Sequence, residues 1–393
     1  MAISGKAWLL GLGLGALVLG GCTATPSGPP TAPPSSALTS ASASPTPSLA
    51  PADVTPCRVE LPDTWAQALR TGTVAPAIGE TVTVALSAAD GTTFALSSEP
   101  DRRHVFEWRR GTERGVVQDF GTDHAEWQVL GATYDGRYLA YRVDQSYANF
   151  EDFAVYVWDS QGTKAPVRIA QGERDDNGDL MQTPFVDPVL VDGWVYWTQT
   201  RDADPGRTVL SGYRINDGRT ERLSRGYGRA PVRFGDTLVW ADSAKAGQPA
   251  TLRALDLRSR EPIDLPPALS KVRGPYYLAG NADTFAWVGG TKGQQVWVWR
   301  TCWPEARLLV DDVQVPQFPK IAGDVVVFAA EDAMYAADLR SWSFAQVTPA
   351  YGGINADGGP VVNVGYAATE KGGASTQSLL DTRTVGSLGR AGC

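Results

Sequence analysis

The chain has 393 residues, of which 43% are hydrophobic and 20% are charged, and its formal net charge is −8. This composition suffices for a sizeable hydrophobic core and excludes a wholly disordered protein. The acidic balance argues against nucleic-acid binding, because contacts to phosphates require a basic surface.

The N-terminus has the pattern of an export signal. Lys6 precedes an apolar run, residues 7–19, which is too short to span a bilayer comfortably. The run ends in Leu-Gly-Gly-Cys at residues 19–22, which resembles the bacterial lipobox, where small residues precede an acylated cysteine. The resemblance implies a signal peptide over residues 1–21 and an extracytoplasmic protein anchored to the bacterial cell membrane by acyl chains on Cys22. A plain secretory signal with an incidental cysteine is the alternative.

The segment after the predicted lipid anchor is a predicted linker. Residues 23–56 consist mainly of Pro, Ser, Thr and Ala, a composition with little apolar surface to bury. We therefore expect residues 22–56 to be the lipidated cysteine and a disordered tether that holds the folded part away from the membrane.

A short helix and connector are expected over residues 57–80. The segment from Leu61 to Arg70 reads as one helix, with Asp63 as the N-cap and with Trp65 and Leu69 on one face. Since this face is apolar, we expect the helix to dock on the domain that follows.

An aromatic residue recurs through the rest of the chain at a mean spacing of about 45 residues, which is typical of four-stranded propeller blades. In most copies it follows an Asp-containing turn and lies in an alternating apolar strand. The recurring aromatics are Phe94, Tyr141, Trp197, Trp240, Trp287, Phe328 and Tyr366. We predict an all-β fold, a propeller of seven four-stranded blades over residues 81–393 whose first innermost strand lies near Thr81–Ser87. Six or eight blades are the alternatives.

One copy of the repeat carries a family resemblance. The sequence Tyr-Asp-Gly-Arg-Tyr-Leu-Ala-Tyr at residues 134–141 resembles the repeat of TolB-type and WD-repeat-like bacterial propellers. Asn-Asp-Gly at 216–218 with Arg-Leu-Ser at 222–224 resembles the end of that repeat. The resemblance implies the fold and carries over no partner of TolB.

Besides Cys22, the chain contains Cys57, Cys302 and Cys393, and disulfides form outside the cytoplasm. From the order of strands in a blade, we expect Cys57 and Cys393 on one side of the propeller and Cys302 on the other. We therefore predict a Cys57–Cys393 disulfide, which would close a ring whose sequence shows no strand exchange. A Cys57–Cys302 pair is the alternative.

The longest interval between recurring aromatics contains two predicted loop insertions, residues 144–152 and 171–183. Both kinds of loop emerge on the same face of a propeller, and long loops on a rigid scaffold commonly bind ligands. A solvated acidic surface is the alternative. The candidate ligand-binding residues are Asp144, Tyr147, Phe150, Glu151, Asp152, Asp175, Asp176 and Asp179.

Three residues of the second loop form a weak calcium candidate. Asp175, Asn177 and Asp179 place oxygen ligands at alternate positions, as a hard cation requires. The EF-hand pattern fails, because Leu180 and Val186 stand where Gly and Glu are required. We otherwise expect no cofactor.

No common hydrolase motif is present, and the chain has only two histidines, His104 and His124. We therefore expect no catalysis. The sequence predicts a tethered propeller that binds a protein or cell-envelope ligand. The alternative is a carbohydrate-active or other hydrolase with carboxylates in the central funnel. A calcium-dependent adhesion module would share the acidic loops.

Overall fold

Seven sheets, antiparallel except for one short added strand, form the blades of a ring, which confirms the predicted propeller. The structure is a computed structural model that describes residues 55–389, apart from positions 77, 100, 102, 125, 147–150, 182, 184–185, 202–206, 230, 246, 291–292, 312, 315, 331–332, 349, 351 and 368–374.

The described elements follow one another as a strand and a helix, then four strands per blade, with three in the last blade. In chain order they are β1 (Cys57–Arg58), α1 (Asp63–Thr71), β2 (Thr81–Ser87), β3 (Thr93–Ser98), β4 (His104–Arg110), β5 (Glu113–Gly121), β6 (Gln128–Tyr134), β7 (Tyr138–Asp144), β8 (Phe153–Asp159), β9 (Val167–Gln171), β10 (Val189–Val191), β11 (Trp194–Thr200), β12 (Thr208–Arg214), β13 (Arg219–Gly226), β14 (Val232–Phe234), β15 (Thr237–Asp242), β16 (Thr251–Asp256), β17 (Pro262–Ile263), α2 (Pro267–Ser270), β18 (Leu278–Gly280), β19 (Thr284–Gly289), β20 (Gln295–Arg300), β21 (Arg307–Val310), β22 (Gln317–Ala322), β23 (Val325–Ala329), β24 (Met334–Asp338), β25 (Ser343–Thr348), β26 (Gly352–Asn355), β27 (Val361–Ala367) and β28 (Ser375–Asp381).

The first innermost strand, β2, has the predicted bounds, and the recurring aromatics all lie on the second strand of their blades. The six whose side chains are described are buried, and Tyr141 and Trp197 are fully so. The ring of Tyr141 contacts Phe106 of blade one at 4.8 Å and Tyr156 of its own blade at 5.4 Å. The repeat is therefore explained by packing within and between neighbouring blades.

The ring is closed by chain from before the first blade. Thr73 forms an antiparallel bridge to Ser378 of β28, and the Val74 N–H donates to the Gln377 carbonyl at 2.8 Å. Residues 72–74 thus complete the outer edge of blade seven, whose own strands are β26, β27 and β28. The sequence shows no sign of this exchange, because such short pairing leaves no recognisable pattern in it.

The predicted helix is present as α1, but the prediction of its N-cap residue was wrong. The N-cap position belongs to Pro62 rather than Asp63, and no side chain caps the helix. Trp65 is fully buried and its Nε1 donates to the Gly386 carbonyl at 2.8 Å, so the helix docks as expected. No helix within the described ranges is long and apolar enough to cross a membrane.

Cys57 lies beside blade six, where β1 pairs in parallel with β25 and makes a fifth strand. The Cys57 N–H donates to the carbonyl of Trp342, and the Trp342 ring contacts Trp303, the residue after Cys302, at 5.7 Å. Both cysteines therefore lie at the turns between third and fourth strands, so the expectation that they occupy opposite sides was wrong. Neither is a free thiol. Cys393 lies outside the described residues, and the Cys57–Cys393 disulfide stays a prediction.

Candidate functional site

A cavity of about 830 Å³ lies on the axis of the propeller. Its walls come from the innermost strands of blades two to seven. Because the innermost strands of six blades meet only around the axis, the cavity must lie there. This volume falls in the usual range for ligand pockets, about 300–1,000 Å³. We call the end where the innermost strands begin the entry end, and the end where they turn into the second strands the far end.

An ion pair crosses the cavity. Lys320 of β22 donates from Nζ to Oδ2 of Asp187, which lies two residues before β10, at 3.3 Å. These residues belong to blades six and three, and three blades is the greatest separation in a ring of seven. The two side chains therefore meet across the axis, and both remain partly exposed, Lys320 at 25% and Asp187 at 40%.

The surroundings of Asp187 favour its charged form. Burial acts to raise the pKa of Asp187, but the positive charges of Lys320 and Arg142 outweigh it and hold the pKa below its ordinary value. A glycine makes room for the carboxylate, since a Cβ on Gly131 of β6 would lie 2.5 Å from Asp187 Oδ1. The anion is thus held between a cation across the axis and the bare backbone of blade two.

Asp144, a predicted ligand-binding residue, is fully buried at the end of β7. Arg142 Nε donates to its Oδ1, whereas its Oδ2 has no hydrogen-bond partner among the described residues. The pKa of Asp144 is raised to about 6, mainly by burial and to a smaller extent by the charges of Asp187 and Asp152, against the lowering effect of Arg142. The expectation that Asp144 lies in an exposed loop was wrong, because the second strand of blade two runs on to this residue and carries its side chain inward.

Aromatic side chains form the wall of the entry end on blades five and six. The guanidinium of Arg229 lies 5.6 Å from the ring centre of Tyr276, and the rings of Tyr277 and Phe318 are 4.6 Å apart. Phe318 has a φ of +48°, which a bulky residue seldom adopts, at an irregularity in the pairing of β22. Such strain is commonly found at binding sites. Burial raises the pKa of the Tyr277 hydroxyl, although Arg229 acts to lower it.

The far end is shaped by the tight turns after the innermost strands. Asp135 Oδ1 accepts the N–H groups of Arg137 and Tyr138 at 2.9 and 2.7 Å, which fixes its turn. Asp357 accepts the Gly359 N–H at 2.9 Å, and burial raises its pKa. The carboxylates of this end therefore serve the turns in part.

The two predicted loops of blade two lie against each other, because Gly172 packs on the carbonyl of Glu151. Glu151, Asp152 and Asp175 are half-buried. Asp176 and Asp179 are exposed, and Tyr147 and Phe150 lie outside the described residues. The ligand-binding role of these loops stays a prediction.

The calcium candidate forms a turn. Asp175 Oδ1 accepts the N–H groups of Asn177 and Asp179 at 2.9 and 3.0 Å, so part of its coordinating capacity is used by the backbone. Within the described parts of the chain, no group of three or more His, Cys, Asp or Glu side chains could hold a metal ion.

Neither histidine lines the cavity. His104 is buried in β4 of blade one, with Ser98 Oγ 3.2 Å from its Nε2. His124 stacks on Trp127 with ring centres 3.9 Å apart. A Ser-His or Cys-His nucleophile is therefore not assembled by these side chains in the cavity.

The sequence analysis did not predict the charged residues of the cavity, namely Asp187, Arg229 and Lys320. Each lies in or just before an innermost strand, where the repeat is short and carries no recurring aromatic. An alignment of the innermost strands would have placed these three residues around the axis of the propeller. It would not have predicted their level along the axis or the direction of their side chains.

Comparisons with known proteins add the fold and no more. No protein-family model and no curated protein matches the chain. Among solved structures, the chain is similar to one from a structural and mechanistic study of two prolyl endopeptidases, with a TM-score of 0.51 and 12% identity over 83% of this chain and 50% of that one. A puromycin-hydrolyzing peptidase of Mycobacterium tuberculosis is similar with a TM-score of 0.50 and 13% identity, over 86% and 56% of the two chains. The chain thus spans about half the length of these structures, and the likeness supports the propeller fold alone.

Proposed function

We propose that this protein is a lipid-anchored extracytoplasmic lipoprotein whose propeller binds a protein or cell-envelope ligand without catalysis. The observation that supports this most is the axial cavity, which combines partly exposed aromatic rings, a partly exposed ion pair and an exposed arginine for which the described residues supply no carboxylate partner. Polar groups that converge on a partly apolar pocket of this size favour a binding site. The ligand enters at the entry end, beside the acidic loops of blade two.

Site-specific photocrosslinking in intact cells tests the proposal. A photoreactive phenylalanine replaces Tyr277 in the cavity or Val167 on the outer strand of blade two, which is 53% exposed and serves as the matched control. We expect a crosslinked envelope component from position 277 and none from position 167. Equal crosslinking from both positions, or none from position 277, would contradict a ligand in the cavity.

A carboxylate hydrolase is the second candidate, because the charge of Asp187 acts on Asp144 and the pKa values of the two are shifted in opposite directions. Such a pair can divide the roles of acid and base. The full burial of Asp144 speaks against direct contact with a substrate. Turnover of an oligosaccharide or peptide that disappears in both Asp144→Asn and Asp187→Asn would favour the hydrolase, and we expect no turnover.

A further inference from the structure

The entry end of the cavity carries cationic groups in an acidic protein. The chain has a net charge of −8, yet no carboxylate in the described residues pairs with Arg229 at this end. Arg229 is exposed and rests on the Tyr276 ring, and Lys320 is a second cation that keeps a quarter of its side chain exposed. A guanidinium and an ammonium that face one cavity favour a ligand with an anionic group.

The aromatic wall favours a ligand that also presents a ring face. Tyr276 is 44% exposed, and Tyr277 and Phe318 are half-buried beside it. Rings left partly exposed to a polar cavity can stack on the C–H face of a pyranose. A pyranose that carries a carboxylate can contact both the cationic groups and the aromatic wall.

We propose that the entry end binds a uronic-acid oligosaccharide, with a carboxylate on Arg229 and Lys320 and a pyranose ring against Tyr277 and Phe318. This inference rests on the proposed binding function and names its ligand class. The cavity of about 830 Å³ accommodates a short oligomer.

Asp187 acts as an internal competitor for the ligand carboxylate. It occupies Lys320 at 3.3 Å in the structure, so an anionic ligand must share that ammonium or displace the carboxylate from it. Replacing Asp187 with an uncharged isostere therefore strengthens binding, whereas replacing either cation weakens it. These opposite signs distinguish a direct electrostatic role from general damage to the cavity.

Isothermal titration calorimetry of the full chain with trigalacturonate, and with maltotriose as the neutral comparison, tests the proposal. We expect trigalacturonate to bind and maltotriose to bind at least tenfold more weakly. Arg229→Gln and Lys320→Gln each lower the affinity about tenfold, the usual loss for a hydrogen bond to a charged group, and Asp187→Asn raises it. Arg383→Gln is the matched control, because Arg383 pairs with Asp381 outside the cavity and is 63% exposed.

Three results would overturn the inference. They are no binding of trigalacturonate, equal binding of maltotriose, and an affinity that Arg229→Gln leaves unchanged in a variant with wild-type circular dichroism. A further titration with the acetylated peptide Glu-Phe-Glu separates this failure from that of the proposed function. If the peptide binds, with the expected loss in Arg229→Gln, and trigalacturonate does not, the ligand class is wrong while binding in the cavity stands.

Discussion

The buried carboxylate of Asp144 links the stability of blade two to pH. Its pKa is raised from an ordinary value of 3.8 to about 6, mainly by burial. The folded protein therefore holds this proton to a higher pH than the unfolded chain does. The stabilising contribution is fully present below pH 4 and is lost as the pH rises through about 6, a change of about 3 kcal/mol from two pKa units.

We predict that Asp144→Asn flattens this part of the stability profile. Urea unfolding at pH 4 to 7 measures the free energy of unfolding of both proteins. We expect the difference between wild type and variant to change mainly as the pH rises from 4 through about 6. In the wild type, the free energy of unfolding should fall between pH 4 and 6 by about 2 kcal/mol more than in the variant. Asp176→Asn, at an exposed loop position, is the control and should follow the wild type. Parallel profiles for wild type and Asp144→Asn would refute the raised pKa.

At the scale of elements, helix α1 holds the closing segment of the ring in place. It carries the chain from β1 on blade six to residues 72–74 on blade seven, and Trp65 anchors it between them. Trp65 packs in a core cluster with residues of blades six and seven, including Val327 and Leu380. The stability of the last blade should therefore depend on this one side chain.

We predict that Trp65→Ala lowers the free energy of unfolding by about 3–5 kcal/mol, the usual loss for a buried tryptophan. Trp65→Phe keeps most of the apolar contact and loses the bond to the Gly386 carbonyl, so it should cost about 1–2 kcal/mol. Hydrogen exchange should accelerate in β28 before the other blades in Trp65→Ala. Uniform acceleration in all blades would show that α1 does not close the ring locally.

The cysteine near α1 has two possible partners, and the structure favours Cys302. Non-reducing peptide mapping should join the Cys57 peptide to the Cys302 peptide. The Cys57 N–H donates to the Trp342 carbonyl, and the Trp342 ring contacts Trp303, the residue after Cys302. For a loop of 302 − 57 + 1 = 246 residues, the chain-entropy model gives about 5 kcal/mol as an upper figure. Cys57→Ser and Cys302→Ser should then lower stability equally, and together no further. A Cys57–Cys393 peptide would instead support the pairing predicted from the sequence.

At the scale of the whole molecule, strand β1, near the start of the described residues, lies at the far end of the propeller. Cys57 lies by the turn between the third and fourth strands of blade six, and such turns share an end with those that follow the innermost strands. The entry end, with Arg229, is at the opposite end of the blades.

We predict that Cys22→Ala releases the protein from the membrane into the extracytoplasmic fluid, because no acyl chain can then be attached. Fractionation of cells with immunodetection measures the distribution, and labelling with an alkyne fatty acid should mark the wild type and not the variant. Cys302→Ser is a control that should remain in the membrane fraction. Retention of Cys22→Ala in that fraction would contradict the lipid anchor.

The sequence by itself determined the repeat and therefore the fold. Aromatic residues such as Tyr141 and Trp197 recur because each blade must bury the same second strand, so a local pattern reports the architecture directly. The helix was likewise predictable from Trp65 and Leu69 on one face, although its first residue was not.

The candidate site was decided by the tertiary structure. Asp187 and Lys320 are 133 residues apart and meet because ring closure brings opposite blades to one axis, a relation that no local pattern contains. The sequence predicted Asp144 at the start of a loop. In the structure β7 extends to this residue, so its side chain is buried, and burial raises its pKa. Packing that repeats in every blade leaves a local pattern in the sequence, whereas contacts across the axis depend on the closure of the whole ring.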